Sequence, residues 1–338
     1  MRKIKKRRKT KKRTSTLVLL FVVFELIFTT VTGPFMLYYG PFKNVKSTVV
    51  GAAMTTYSLQ WLATTFLSKE AIAKIMSDQT VDTLVQNNLD GVKVENKNDN
   101  SIERYDVKGN KFKGYILIIK DPTRLKVGYS SMLGTEGQLT SDIAKDNNAI
   151  AAINGGGFND GDSGSKKTGI GTGGNPTGII MGRGKIERND ITDVNKKTEV
   201  VAMTSSGNLL VGPHSLSEMK NEGVTDAVSF GPALIVGGQK TIKSPADGGW
   251  GIAPRTCIAQ RKDGAIIFLV IDGRQLGSVG ASLKEAQDVL YDYGAVNASN
   301  LDGGSSSTLF YDDEVINSPS DSLGERTVPS IMYIESRK

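Results

Sequence analysis

The sequence predicts a mixed α/β (α+β) protein, in which a single β-rich domain with few helices follows an N-terminal transmembrane helix and a helical stalk. Three observations predict this order. A basic block runs into a long apolar segment, a region of helical periodicity follows, and short apolar runs separated by Gly, Asn and Asp fill the rest. We therefore divide the chain into a basic tail (1–15), a membrane segment (16–40), a stalk (41–91) and a domain (92–338).

The basic block accounts for the net charge. Residues 2–13 contain ten Lys and Arg, and without them the formal net charge of +7 becomes −3. The rest of the sequence has no basic stripe interleaved with aromatic residues, so nucleic acid is not a predicted partner.

The segment 16–40 contains one charged residue, Glu25. At about 1.5 Å per residue it is long enough to cross a hydrocarbon core of about 30 Å. It is too long for a signal-peptide core and lacks an A-x-A-like cleavage site, which favours an uncleaved signal anchor over a removed signal sequence. The positive-inside rule then predicts a single-pass protein of the cell membrane, with a cytoplasmic N-terminus and an extracellular domain. Because Cys257 is the only cysteine, a disulfide framework is excluded and a bacterial surface is the simplest setting.

The stalk has apolar residues at helical spacing in TTYSLQWLATTF and SKEAIAKIM. We interpret it as a spacer that packs on the domain, with oligomerisation through the stalk as the alternative. Beyond it, helices are predicted at 140–147 and 281–294. Strands are predicted at 113–121, 124–130, 148–154, 178–184, 199–205, 208–212, 226–231, 233–238, 255–261, 265–273, 297–303 and 328–336.

Three apolar strands end in a polar residue followed by glycine, at Asn154, Asp272 and Asp302. The helix 281–294 lies between the strands that lead to the two aspartates. A right-handed crossover would make those strands parallel and place both aspartates side by side at one edge. Glycines after each polar residue let a substrate approach backbone N–H groups, although any single Asp-Gly is also an ordinary turn.

The segments AAINGGGF, PTGIIMGRGKI, DAVSFGPALIVGG, RTCIAQRKDGAIIFLVIDGR, NASNLDGGSSSTLFY and GERTVPSIMYI, in that order, resemble the phosphodiester glycosidase family. The resemblance covers about residues 95–336. It implies a hydrolase whose site residues are Asn154, Gly155, Arg255, Asp272, Arg274, Asp302, Gly303, Gly304, Ser305, Glu325 and Arg326. The family commonly reads Asn-Gly-Gly-Phe-Phe where this chain has glycine at position 157, and a Gly-rich insert follows at 159–178, so the family's sugar specificity is not transferred.

The expected reaction cleaves the sugar–phosphate bond of a glycosyl phosphodiester. It needs charge stabilisation on the leaving phosphate and a carboxylate near the anomeric carbon. We assign the carboxylate role to Asp302, with Asp272 as its acid/base partner and Glu325 as a further candidate, and the phosphate to Arg255, Arg274 and Arg326. Asn154, Gly155, Gly303, Gly304 and Ser305 would position the substrate. The sequence requires no cofactor, and a divalent ion is possible.

Two alternatives stay open. One is a catalytically silent module that binds glycan or phosphate and organises polymer synthesis, and the other is a phosphodiesterase that attacks at phosphorus. The expected partner is a glycosyl phosphodiester, plausibly part of a cell-wall or exopolysaccharide polymer. The sequence identifies neither the sugar nor the anomeric outcome.

Overall fold

The computed structural model describes residues 2–55, 59–78, 80–86, 89, 91–159 and 172–337, with side chains from residue 15 onward. Most of the Gly-rich insert, residues 160–171, therefore lies outside the described residues. The chain divides into two compact units, Met1–Ser77 and Asp78–Lys338, and each is described by itself. The boundary proposed from sequence between stalk and domain, after residue 91, stays a prediction.

The first unit is helical. Its helices are α1 (Arg2–Tyr39), α2 (Lys43–Thr55), α3 (Trp61–Thr64) and α4 (Lys69–Ser77). Within α1, Ser15–Tyr39 forms a stretch of 25 residues with a mean hydropathy of 2.1, long and apolar enough to cross a membrane. The stretch coincides with the apolar segment that the sequence predicts as a membrane helix.

The second unit is β-rich, which confirms the predicted fold class. Its largest sheet has seven strands in which every neighbouring pair is antiparallel. In spatial order they are β1 (Ile102–Lys108), β2 (Lys113–Ile119), β14 (Ile266–Ile271), β13 (Arg255–Arg261), β15 (Ala295–Asn300), β11 (Ala233–Val236) and β12 (Gln239–Lys240).

Two five-stranded sheets and one strand pair complete the β-structure of the described residues. The second sheet runs β17 (Glu314–Val315), β16 (Leu309–Tyr311), β5 (Ala149–Asn154), β19 (Ser330–Glu335) and β3 (Leu125–Tyr129). The third runs β7 (Lys185–Asn189), β6 (Ile179–Gly182), β10 (Val224–Val228), β8 (Thr198–Thr204) and β9 (Leu209–His214). The pair is β4 (Gln138–Leu139) with β18 (Thr327–Val328).

All three sheets supply one hydrophobic core, in which Phe268, Ile153 and Val201 are fully buried and come from one sheet each. Burying apolar area between sheet faces is the main stabilising term for such a fold. The site described below lies where strand ends of the first two sheets meet, so this shared core fixes their relative position.

Three helices pack on the sheets, α5 (Thr140–Asp146), α6 (Leu216–Asn221) and α7 (Leu283–Asp292). A capping box starts α7, because the Ser282 side chain accepts the Glu285 N–H while the Glu285 carboxylate accepts the Ser282 N–H. Gly294, with φ of +85°, follows the end of α7, as the sequence predicts.

Residues 80–86 run along the second unit. The Gln86 side chain donates to the Leu209 carbonyl at 3.1 Å and accepts the Val211 N–H at 2.9 Å. The backbone N–H of Asp82 donates to the carbonyl of Thr241 at 2.8 Å. These contacts attach the segment to two different sheets of the unit.

Candidate active site

Asn154, at the end of β5, holds the peptide of Asp302 in place. Its side chain is fully buried, and Nδ2 donates to the Asp302 carbonyl at 2.6 Å. Its Oδ1 accepts the Thr256 hydroxyl at 2.7 Å and the Thr308 N–H at 3.2 Å. In return, the Asp302 N–H donates to the Gly155 carbonyl at 3.2 Å. The end of the second sheet is thus fastened to the end of β15 in the first sheet.

The backbone after Asp302 has no room for side chains. A Cβ on Gly303 would lie 2.9 Å from the Pro254 carbonyl oxygen. Gly304 has φ of +65°, and its N–H donates to the same oxygen at 3.0 Å. A Cβ there would also lie 3.3 Å from Nη2 of Arg274. The two glycines therefore let the chain turn tightly beneath a guanidinium group.

Two arginines gather around this turn. Arg274 is exposed as a whole, but its guanidinium lies against Gly304, while Nη1 of Arg326 donates to the Ser305 hydroxyl at 3.2 Å. Burial lowers the pKa of Arg274, and the positive charge of Arg326 lowers it further. Two coupled cations beside exposed backbone form an arrangement suited to a phosphate group.

Asp272, after β14, is 5% exposed. Its Oδ1 accepts the Ser318 N–H at 3.0 Å and the Asn317 side-chain amide at 3.2 Å. Burial raises the pKa of this carboxyl, and the two hydrogen bonds oppose the shift only in part. A carboxyl with a raised pKa can keep a proton to a higher pH than an ordinary aspartate and act as an acid.

The prediction placed Asp272 and Asp302 side by side at one edge of the sheet, but the strands that lead to them are not adjacent. They are parallel, but β13 lies between them and pairs antiparallel with both. A short hairpin joins β13 to β14, and the crossover through α7 passes over β13 to reach β15. Two strand spacings separate the backbones, roughly 10 Å. The signal for this arrangement was present in the sequence, because Asp263-Gly264 between two apolar runs is typical of a hairpin.

Arg255, at the start of β13, occupies the intervening strand. It is 3% exposed, and burial lowers the pKa of its guanidinium to about 10. The guanidinium donates to three backbone carbonyls, those of Ala281 (2.9 Å), Trp250 (3.1 Å) and Gly251 (2.6 Å). These bonds hold the loop that carries Trp250, whereas the phosphate contact expected for Arg255 stays a prediction.

The carboxylate of Glu325 is engaged at the N-terminus of α5. It accepts the Ser141 N–H at 3.0 Å and the Ser141 hydroxyl at 2.5 Å. A carboxylate in this position satisfies helix N–H groups and complements the helix dipole. Arg326, the next residue, takes part in the arginine pair, and its guanidinium lies 4.9 Å from the centre of the Phe158 ring. The acid/base role expected for Glu325 stays a prediction.

Phe230 packs beside Gly157, the position at which the family commonly has the first of its two phenylalanines. Its ring carbons lie 3.0 Å from where a Cβ on Gly157 would be, so Gly157 leaves room for this ring. Phe230 also makes an edge contact with Trp250, with ring centres 5.9 Å apart. Aromatic rings beside the loop after β5 therefore come from residues that were not among the predicted site residues.

A cavity of about 360 Å³ is lined by Phe230, together with Ser229, Lys196 and Glu199. Burial raises the pKa of Glu199, whose Oε2 has no hydrogen-bond partner among the described residues. None of the predicted site residues lines this cavity. We place the candidate site at the strand ends and not here, because the arginines and glycines converge there.

The structure thus brings Asn154, Gly155, Gly303, Gly304 and the Asp302 peptide into direct contact, with Arg274, Ser305 and Arg326 around them. The sequence reasoning missed Asn317 and Ser318, the partners of Asp272. In the part of the chain that the structure describes, no group of three or more His, Cys, Asp or Glu could hold a metal ion.

The part of the chain that contains the candidate site is similar to a known protein family. The profile of the family described as phosphodiester glycosidase matches residues 147–335. A Bacillus subtilis protein described as SPbeta prophage-derived uncharacterized protein YomE is 37% identical over 81 residues, which are 24% of this chain and 12% of that protein. The aligned part is therefore a small fraction of that relative's length.

Among solved structures, the fold is similar to the catalytic domain of zebrafish N-acetylglucosamine-1-phosphodiester alpha-N-acetylglucosaminidase, auto-inhibited by its pro-peptide. The TM-score is 0.59 at 22% identity, and the match covers 73% of this chain and 87% of that one. A hypothetical protein from Synechocystis gives a TM-score of 0.51 at 18% identity, over 70% of this chain and 62% of the other. At these identities the two structures show a shared fold.

Proposed function

Because this chain belongs to the phosphodiester glycosidase family, we propose that it hydrolyses the sugar–phosphate bond of a glycosyl phosphodiester. The observation that carries this proposal is the arginine pair, Arg274 and Arg326, over the Gly304-Ser305 backbone at the end of the strand that leads to Asp302. The phosphomonoester product carries up to two negative charges and would bind to these two guanidinium groups. The adjoining carboxyl groups supply the chemistry that a glycosidase needs.

Most of the stabilisation that this reaction needs concerns the leaving phosphate. The leaving group is a phosphomonoester, an anion of low basicity, so the departing oxygen needs little help from a general acid. It needs cations and N–H donors that stabilise the negative charge as the bond to the sugar breaks. Arg274, Arg326 and the Ser305 hydroxyl are the groups we assign to this task.

Asp302 is the carboxylate we assign to the anomeric carbon, as nucleophile or as electrostatic partner of the positively charged sugar. The backbone carbonyl of Asp302 accepts a hydrogen bond from Asn154 and its N–H donates to Gly155, which supports a fixed position for the residue. We assign to Asp272 the part of acid and base, because burial raises its pKa, so that it keeps a proton to a higher pH than an ordinary aspartate. Arg255 and Glu325 act here by holding the loop of Trp250 and the start of α5.

The setting we propose is the outer face of a cell membrane. The apolar stretch Ser15–Tyr39 would anchor the protein, with the basic tail inside and the second unit outside. A polymer with sugar phosphodiester linkages, such as a wall polymer or an exopolysaccharide, is the substrate that a hydrolase in this position would meet. The zebrafish enzyme acts on an N-acetylglucosamine phosphodiester. The aromatic surroundings of Gly157 differ from the pattern that the family commonly has, so the sugar that this chain accepts has to be determined by itself.

The experiment that tests the proposal is ³¹P NMR of the full chain in detergent, incubated in ¹⁸O-enriched water with a panel of UDP-sugars and teichoic-acid fragments. A new terminal-phosphate signal, of a phosphomonoester or, from a UDP-sugar, of UDP, with no ¹⁸O shift on any product means that water entered the sugar, as proposed. An ¹⁸O-shifted signal means attack at phosphorus and overturns the proposal. An unchanged spectrum with folded protein, together with binding of the same compounds, favours the silent binding module.

A further inference from the structure

The chain after α1 folds back onto the last turn of that helix. The hydroxyl of Tyr38 donates to the Leu62 carbonyl, and that of Tyr39 donates to the Phe66 carbonyl. The Phe66 ring stacks on Tyr38, with ring centres 4.9 Å apart, and meets Phe35 edge-on at 6.1 Å. Since Phe35, Tyr38 and Tyr39 belong to the end of the apolar stretch, the segment 61–66 lies at the same height as that end.

We call residues 41–77 the membrane-proximal bundle. Its own core is small, because the buried apolar residues among those the structure describes here are Tyr38 of α1 and Val50, Ala53, Ala63 and Ile72 of the bundle itself. Chains shorter than about 40 residues rarely bury enough surface to fold without a disulfide, a metal or a partner. The bundle has no cysteine, since Cys257 is the only one in the chain. It therefore needs further apolar surroundings.

Several large apolar side chains of the bundle point outward near the end of α1. Trp61 is 59% exposed, Val45 53%, Phe42 50% and Leu59 39%, next to Tyr39 at 65%. Trp and Tyr are the residues that proteins place at the boundary between lipid headgroups and acyl chains. The exposed set is thus continuous with the apolar surface of the Ser15–Tyr39 stretch.

The charge of the bundle also fits a lipid surface. It contains four lysines, at 43, 46, 69 and 74, and one acidic residue, Glu70. Lys46 donates to the carbonyl of Tyr38 at 3.2 Å, which holds its ammonium group at the level of the span's end. A net positive bundle at this height is attracted to anionic headgroups.

We propose that the membrane-proximal bundle lies in the headgroup layer of the membrane, with Phe42, Leu59 and Trp61 at the boundary of the acyl chains. This rests on the proposed membrane span. The second unit is then connected to a base embedded in the lipid surface and not to a free stalk. Interfacial helices of this kind bury their apolar side about 5–10 Å deep.

The two tryptophans of the chain, Trp61 and Trp250, make the test direct. The full-length protein carrying Trp250→Phe, in which Trp61 is the only fluorophore of its kind, is reconstituted in vesicles of phosphatidylcholine and phosphatidylglycerol. We expect blue-shifted emission, strong quenching by phosphatidylcholine brominated near the headgroup and weak quenching by aqueous iodide. The matched control Trp61→Phe retains Trp250 of the second unit, and its quenching is the background against which the Trp61 signal is read.

Each remaining outcome overturns the proposal in a recognisable way. Emission typical of water, with iodide quenching, while the protein resists carbonate extraction, would leave the span intact and place the bundle outside the lipid. Protection from both quenchers would mean that a second copy of the chain covers Trp61. Release of the protein by carbonate would reject the span itself, with no bearing on the hydrolase.

Discussion

The Asn154 side chain donates to the carbonyl of Asp302 at 2.6 Å, although 148 positions separate the two residues in the sequence. The same side chain accepts hydrogen bonds from Thr256 and Thr308, so one buried amide joins β5, β13 and the segment before β16. The hydrogen bonds to Asn154 and Gly155 position Asp302 through its backbone atoms.

Asn154→Ala should destabilise the protein and reduce activity together. The change leaves the Thr256 hydroxyl, the Thr308 N–H and the Asp302 carbonyl without a buried partner, at a cost of about 2–4 kcal/mol. Urea unfolding measures the loss. Asn221→Ala, at the exposed end of α6, is the matched control and should change stability by less than about 0.5 kcal/mol. Equal stability of the two variants would contradict the anchoring role.

Asp302→Asn should abolish turnover and leave the fold unchanged. The bonds to Asn154 and Gly155 use backbone atoms, which the substitution retains. We expect kcat to fall by at least about 10³-fold, the usual cost of removing a group that acts on the reacting atoms. Asp313→Asn, in the exposed turn before β17, is the control and should keep full activity. Near-normal turnover in Asp302→Asn would remove this residue from the mechanism.

Asp272→Asn should make the protein more stable at neutral pH. Burial raises the folded-state pKa of Asp272 above the unfolded value of about 3.9, so the folded state binds more protons between those two values. The contribution of Asp272 is therefore complete below about pH 3.9 and is lost as pH rises through the folded pKa. The variant lacks this loss and can still accept the Asn317 and Ser318 hydrogen bonds. Unfolding free energies measured from pH 4 upward should diverge, and parallel curves for the two proteins would refute the shift.

Arg274→Lys should reduce kcat/KM by about 10²-fold or more, because an ammonium cannot offer the planar fork of donors that a guanidinium presents to phosphate. The loss should be larger for substrates whose leaving phosphate is more basic, since these depend more on charge stabilisation. Arg188→Lys, on an exposed strand, serves as control. A loss that is the same for all leaving groups would argue that Arg274 binds the ground state alone.

Glu325→Ala and Ser141→Ala should behave alike. Glu325→Ala removes both hydrogen bonds to Ser141, and Ser141→Ala removes the one from its hydroxyl, so each should cost about 1 kcal/mol, with the larger loss in Glu325→Ala. Thermal unfolding and kcat of the two variants provide the comparison. A drop in kcat for Glu325→Ala that far exceeds that of Ser141→Ala would restore Glu325 as an acid/base candidate.

The sequence predicted the parts of the fold that rest on local patterns. Apolar runs ending in Gly marked the strands before Asn154 and Asp302, and the spacing of Leu283, Ala286 and Leu290 marked α7. It missed β1, because an exposed edge strand with four charged residues among seven has no apolar alternation to reveal it. Strand order was the larger gap, since pairing across the sheets depends on packing between distant segments.

The candidate site follows the same division. The role of the glycines at 303 and 304 was predictable, because a tight turn with a close approach to the backbone leaves no room for a Cβ. The contact between Arg255 and the Trp250 loop was not predictable. Arg255 donates to three backbone carbonyls, which every residue type possesses, so the sequence does not identify these partners. Asn317, which donates to Asp272, lies 45 positions away from it.

The order of strands in the seven-stranded sheet has a consequence for biosynthesis. β2 pairs with β14, in a register that sets Ile119 opposite Ile266, so β2 has no inner neighbour until the ribosome has passed that point. Contacts of such high sequence separation form late and slow folding. A chain exported while it is being made would thus emerge with the apolar strand Lys113–Ile119 paired to β1 along one edge and unpaired along the other, a state prone to aggregation until β14 has been made.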